Sequence, residues 1–276
     1  MSRICSRVTP GPPSRLGTTA PCETILRRAR ALRCPRVGGD GGVTVAEAQT
    51  NARPQALARW RPAELIAILG EAYGRVEARP HRDAISELVL TLLSQNTSDH
   101  NSGHAFHRLL ERFESWDEVI DAPTSEVEEA IRPGGLAPTK APRIQALLAE
   151  VREQTPGYEL AFLETMPLEE AKAWLRALPG VGPKTAAIVL LFALGRPALP
   201  VDTHVERVAK RLGLAPPRMP VARVHDELEA QLEPEEMYAF HVDLIQHGRR
   251  TCHARAPRCE DCLLLERCPR VGLPPR

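Results

Sequence analysis

With 276 residues, 43% of them hydrophobic, the chain is long enough for one large domain or two modest ones, each with a buried core. A formal net charge of only +1 excludes a global field that pulls the protein onto nucleic acid, so any affinity for DNA must come from a local basic face. No apolar run approaches the roughly 20 residues that span a bilayer. The longest, Ala186 to Leu194, suits a buried helix, and Met1 to Asp40 is too broken by Pro, Gly and Arg for a secretory signal. No membrane partner is expected.

Residues 1–54 contain nine Arg, three acidic residues and no aromatic residue. Such a stretch cannot bury enough apolar surface to offset its ordering entropy, and it is expected to be a disordered basic leader. A weak DNA-binding arm, an organelle transit peptide and a start-site artefact all stay open. The Gly38-Gly39-Asp40-Gly41-Gly42 run would be encoded like a ribosome-binding site, which favours translation from Val43 or Val45.

From Arg61 onward the pattern is helix after helix with almost no period-2 alternation. Pro62 to Tyr73 opens with a first-turn proline and closes at Gly74. Asp83 can cap a helix through Leu88, Leu92 and Leu93. A further helix starts near Ser98–Asp99 and places Phe106, Leu109, Leu110 and Phe113 on one face. Ser125 and Glu128 have the spacing of a capping box, and Gly134–Gly135 end that short helix. Other helices are expected over roughly 140–153, 167–177, 183–194, 203–212, 221–232 and 234–247. The fold class is all-α.

Three constellations carry chemistry. Leu178-Pro179-Gly180-Val181-Gly182-Pro183-Lys184 joins two helices through alternate glycines, which can take positive φ and let another backbone approach. The unpaired N–H groups of the next helix make a phosphodiester site without sequence readout; a tight αα-hairpin is the competing reading. Lys184, in the first turn and partly buried, would be pushed toward the free amine that imine formation needs; a lysine contacting phosphate is the alternative. Asp202, in Val201-Asp202-Thr203-His204, is placed to cap the following helix, and near Lys184 it could also take a proton and stabilise positive charge on a sugar. Cys252, Cys259, Cys262 and Cys268, spaced Cys-x6-Cys-x2-Cys-x5-Cys, suit metal ligation, with zinc and an iron–sulfur cluster as the choices. Residues 249–276 add seven Arg against three acidic residues, a local basic face.

These strings, with Leu93-Ser94-Gln95-Asn96-Thr97-Ser98-Asp99 and His247-Gly248-Arg249, resemble the endonuclease III family of DNA glycosylase/AP lyases over about residues 61–269. The resemblance implies a helix–hairpin–helix at about 168–194 and two helical parts flanking a DNA-binding groove. One part is a six-helix domain over 84–196; the other is an iron–sulfur domain built from 55–83 and 197–276. It implies Lys184 as nucleophile, Asp202 as catalytic carboxylate and a [4Fe-4S] cluster on the four cysteines. Gly180, Val181, Gly182, Gln95, Asn96 and His204 would contact double-stranded DNA carrying a damaged base or abasic site. A cytoplasmic monomer, nucleoid-associated when acting on DNA, is expected. The implied reaction is base excision through a lysine Schiff base and nicking by β-elimination, with oxidised pyrimidines as substrates.

One segment departs from the family's Ser-Ala-Gln-Ala-Thr-Asp. The glutamine that fills the gap left by the everted base becomes Asn96 here, or slides to Gln95, and either amide can bond the orphaned base. Alternatives are a mismatch thymine or uracil glycosylase, a mismatch adenine glycosylase, and a noncatalytic DNA-binding module. The adenine branch places a glutamate where this chain has Thr91 and lacks the hairpin lysine. Pure binding would need neither Lys184 nor Asp202.

Overall fold

The computed structural model describes residues 60–77 and 82–274. The expected disordered leader, with Cys5, Cys22 and Cys34, lies outside the described residues. Among the described residues the regular structure is helical, in eleven α-helices and short 3-10 turns, with no strand. None of the helices is long and apolar enough to cross a membrane.

Local chemistry explains most boundaries. α1 (Pro62–Tyr73) starts on its proline and stops at Gly74, whose φ of 92° is open to glycine. α2 (Ala84–Ser94) is capped by Asp83, which accepts from the Ser86 amide at 2.9 Å. α3 (Asp99–Arg112) is capped by Ser98 and buries Ala105, Phe106 and Leu109. Leu110, expected on that face, is instead 46% exposed, because it lies a full 100° step round from Leu109.

α4 (Trp116–Asp121) is a two-turn helix capped by Ser115, too short for a periodicity to betray it. α5 (Thr124–Ile131) corrects the capping-box reading: the helix starts one residue before Ser125. The Pro123 carbonyl accepts from the amides of Glu126 and Val127, and no side chain caps the turn. α6 (Ala137–Gln154) also starts early. Leu136 adopts a left-handed φ of 53°, and its carbonyl receives the amides of Thr139 and Lys140.

α7 (Leu168–Ala177) and α8 (Pro183–Ile188) flank the hairpin; α8 continues as a π-helical stretch, Val189–Ala193, rather than as one α-helix to 194. α9 (Thr203–Leu212) follows, closed by Gly213 at φ 78° and by bonds from Gly213 and Leu214 back to Lys210 and Ala209. α10 (Val221–Glu229) ends three residues before its expected limit of 232. The segment expected over 234–247 is a 3-10 turn followed by α11 (Met237–Arg250).

Two hydrophobic cores result. The first is built from α2 to α8, around Leu88, Leu92, Ile144 and Leu147. The second joins Trp60, Leu65 and Leu69 to residues of α9, α10 and α11, with Phe240 fully buried. The helix leaving the hairpin belongs to both, for Val189 and Leu190 pack in the first core and Leu191 in the second. A π-helical turn admits an extra residue per turn and so re-aims side chains without breaking the helix.

α11 and α9 meet at Gly248. A Cβ there would lie 2.9 Å from His204 Nδ1 and 3.0 Å from an Arg207 guanidinium nitrogen. Gly248→Ala is therefore expected to destabilise the protein by about 1–3 kcal/mol through overpacking. Urea unfolding checks this, and an unchanged midpoint would contradict the close approach of these helices.

Candidate functional site

The hairpin is anchored from inside and open outside. Val181 is buried in the first core, and its amide bonds the Leu178 carbonyl at 3.2 Å. Gly180 takes φ 78°, and a Cβ there would press on Leu92 at 3.2 Å, so glycine is required on two counts. Gly182 corrects the expectation of a second positive φ. It is extended at φ −96°, and a Cβ on it would meet no protein atom within 4 Å. Its surroundings leave room for an external backbone.

Lys184 sits in the first turn of α8 and is exposed, so the partial burial expected for it is not found in the free protein. Asp202 caps α9: its Oδ1 accepts from the amides of His204 at 2.8 Å and Val205 at 2.7 Å. Oδ2 takes no part in the cap. One carboxylate can thus serve both the helix and a ligand.

Sequence reasoning missed a residue that anchors the chain just before Asp202. His241, on α11, is 4% exposed, and its Nδ1–H donates to the Pro200 carbonyl at 2.7 Å. Its ring stands edge-to-face against Phe192 of the π-helical stretch, with centroids 5.5 Å apart. Burial pushes His241 down to about 4; the Asp202 carboxylate opposes that shift, while the Lys184 ammonium and Arg249 reinforce it. His241 thus holds the backbone just before Asp202, and both Asp202 and Lys184 act on it through charge. No pattern flags His241, since its partners lie about 40 residues away in sequence.

His204 faces α11. Arg207 can only donate, so the 3.1 Å contact makes His204 Nδ1 an acceptor and leaves the proton of the neutral ring on Nε2. Burial lowers the His204 pKa, with Asp202 opposing. Arg207 also donates to the carbonyls of Gly248 and Cys252, both at 3.0 Å, tying α9 to the start of the cysteine segment.

On the other side of the hairpin, Gln95 ends α2 and donates its side-chain amide to the Gly180 carbonyl at 3.3 Å. Asn96 is exposed at the apex of the turn with a left-handed φ of 55°. The structure distinguishes the two amides: one is committed to the hairpin, the other projects.

The four cysteines line one cavity and none is in a disulfide. Arg211 donates to Cys252 Sγ at 3.2 Å, and His247 Nε2 lies 3.6 Å from Cys262 Sγ while its Nδ1 meets the Tyr73 hydroxyl at 2.9 Å. Burial, with the charges of the other three sulfurs, pushes the Cys262 thiol up to about 11. Among the described residues no group of three or more His, Cys, Asp or Glu is arranged to hold a metal ion.

The His241 environment makes a pH prediction. Its folded value, near 4, lies below the ordinary 6.5, so the unfolded chain takes up the proton first. Stability is then lost as pH falls from 6.5 toward 4. For this group alone the loss between pH 7 and pH 5 is about 2 kcal/mol. Asp243, raised to about 6 by burial, acts in the opposite sense. The comparison is therefore wild type against His241→Asn, whose urea-measured stability should fall about 2 kcal/mol less over that interval. Parallel slopes would show that His241 is not held neutral.

Comparison with known proteins places this geometry. The family described as "HhH-GPD superfamily base excision DNA repair protein" matches residues 89–234. Endonuclease III of Treponema pallidum is 38% identical over 187 residues, 68% of this chain and 84% of that protein. A provisionally named DNA glycosylase of Arabidopsis thaliana is 39% identical over 162 residues; the match takes in 59% of this chain and spans only 55% of that longer protein. Among solved structures, a non-covalent endonuclease III–DNA complex superposes with a TM-score of 0.66 at 33% identity, covering 75% of this chain and 94% of that one. A thermostable thymine-DNA glycosylase, at 21% identity and a TM-score of 0.63, shares the fold over 75% of this chain and 93% of that one. With the family matched over more than half its length, the chain belongs to the endonuclease III family of the HhH-GPD superfamily of base excision DNA repair proteins.

Proposed function

We propose that this DNA glycosylase and AP lyase of base excision repair removes oxidised pyrimidines, with Lys184 as nucleophile and Asp202 as its acid–base partner. The observation that carries the reading is the placement of an exposed Lys184 in the first turn of α8, beside the open Gly182, with Asp202 capping α9 through Oδ1 alone. A damaged nucleotide everts from the duplex, most cheaply where the lesion already pairs badly. Lys184 Nζ, once it has given up a proton, attacks C1′ of the sugar. The C1′–N bond to the base breaks as the Nζ–C1′ bond forms, and the base departs with the bonding electrons. The free Oδ2 of Asp202 stabilises the oxocarbenium-like charge and accepts protons. Ring opening gives the imine; loss of a C2′ proton then expels the 3′ phosphate, which nicks the strand.

Exposure of Lys184 in the free protein suits this order of events. The hairpin backbone at Gly180, Val181 and Gly182 would grip phosphates beside it, and His204 would donate Nε2–H to the strand. Asn96 fills the gap and bonds the orphaned base, because Gln95 is already held by Gly180.

The four cysteines fit a [4Fe-4S] cluster. A single zinc ion needs sulfurs about 2.3 Å from one centre, hence close to each other. The four thiols line one cavity, where a polynuclear centre would take one sulfur per iron. When bound, the cluster supplies a structural cross-link, with Arg211 and His247 supporting its sulfurs.

Borohydride should trap wild-type protein covalently on lesion-containing duplex. Lys184→Gln should abolish the adduct with DNA affinity kept, and Asp202→Asn should slow base release by about 10²–10⁴-fold. An adduct that persists in Lys184→Gln removes the lysine from its role. A lesion panel in which thymine or uracil mismatches outrun oxidised pyrimidines transfers the substrate to that class.

A further inference from the structure

Lys140 is a charged residue with no charged partner among the described residues. It is 5% exposed, and the only influence on its pKa is burial, which lowers it. Nζ donates to the Leu93 carbonyl at 2.6 Å, the Gly134 carbonyl at 2.8 Å and Thr97 Oγ1 at 2.9 Å. All three ammonium hydrogens are used, and Thr97 Oγ1 donates onward to the Gly134 carbonyl. Burying an ammonium costs several kcal/mol even when it is well bonded, and an apolar side chain of similar length would fill the space more cheaply. Such a residue is better explained by the geometry it fixes than by stability.

That geometry is the turn between α2 and α3. Leu93 is in the last turn of α2 and Thr97 lies one residue before the Ser98 cap of α3, so the ammonium clamps both feet of the turn carrying Gln95 and Asn96. Only three residues, Ser94, Gln95 and Asn96, separate the clamped groups. Within the clamp the Thr97 amide bonds the Ser94 carbonyl at 3.2 Å, and Asn96 is held at φ 55°, a conformation that costs a non-glycine residue free energy unless its surroundings impose it.

We propose that Lys140 is a positioning residue for DNA recognition: it presets the Gln95–Thr97 turn so that Asn96 is presented to the base opposite the everted nucleotide. This rests on the gap-filling role assigned to Asn96 above. Lys140 itself touches no DNA. It removes the ordering cost that a loose turn would incur on binding, so its loss should weaken selectivity for the opposite base more than affinity for the duplex.

The test uses the full-length protein and a duplex carrying a tetrahydrofuran abasic analogue opposite 2-aminopurine. Wild-type protein at saturation should change the 2-aminopurine fluorescence as the amide contacts it. Lys140→Met should bind the duplex yet lose most of that change, and its selectivity among the four opposite bases during lesion excision should fall about tenfold. Thr97→Val removes one of the three acceptors without touching the lysine; it should shift both readouts the same way by less, and it decides the matter if Lys140→Met does not fold. A full fluorescence response per bound protein, with lower affinity only, overturns the proposal. Asn96→Ala separates the two failures. If it keeps the wild-type response, the gap-filling assignment itself is wrong; if it loses the response while Lys140→Met and Thr97→Val keep it, only the role of Lys140 falls.

Discussion

The helical segment from Pro183 to Ala193 passes from one hydrophobic core into the other, and the placement of both proposed reactive groups follows from that. Val189 and Leu190 are locked in the first core, Leu191 in the second, and Phe192 against His241. Lys184, at the start of the segment, is thereby fixed relative to the first core; Asp202, on the cap of α9, is fixed relative to the second. His241 anchors that second position by bonding Pro200 two residues before the aspartate. Neither reactive side chain needs a direct bond to the other. Packed interiors deform little, so a spacing set by two interdigitated cores holds more tightly than one set by an exposed ion pair.

Selection of polar partners follows the same logic. Arg207, Arg211 and Lys140 spend most of their donors on backbone carbonyls, not on carboxylates. Carbonyl acceptors satisfy a half-buried cation without cancelling its charge, and they hold backbone rather than side chains. In a protein whose formal net charge is +1, this keeps the positive charge of these side chains uncancelled while those donors bond backbone. The Arg249–Asp99 pair, exposed on both sides, contributes little by comparison.

How legible these features are in the sequence depends on how far apart the partners lie. Caps and stops are local: Asp83, Ser98 and Gly74 each act within three residues and could be read directly. The α4 helix escaped because two turns carry too little pattern, and Ser125 misled because Pro123 starts its helix without a side-chain cap. Leu110 misled because an apolar residue one step off a buried stripe looks like part of it. Lys140 and His241 were invisible for a different reason. A lysine inside an amphipathic helix and a histidine amid apolar residues acquire meaning only from carbonyls 47 and 41 positions away. The π-helical stretch was equally hidden, since its sequence is indistinguishable from an ordinary buried helix.

The segment after α11 shows how the proposed cluster would reach the reactive groups. Residues 251–274 hold no regular helix, and Leu264 is their one fully packed apolar anchor in the second core. The rest of the segment is held by Arg207 and Arg211 reaching out from α9, and by the cysteine sulfurs. A polynuclear centre binding four sulfurs would convert its binding free energy into order for this stretch. Because the same two arginines belong to the helix that Asp202 caps, order in the segment becomes order at the cap. A cluster held on these cysteines would thus bear on the proposed chemistry mechanically, through α9.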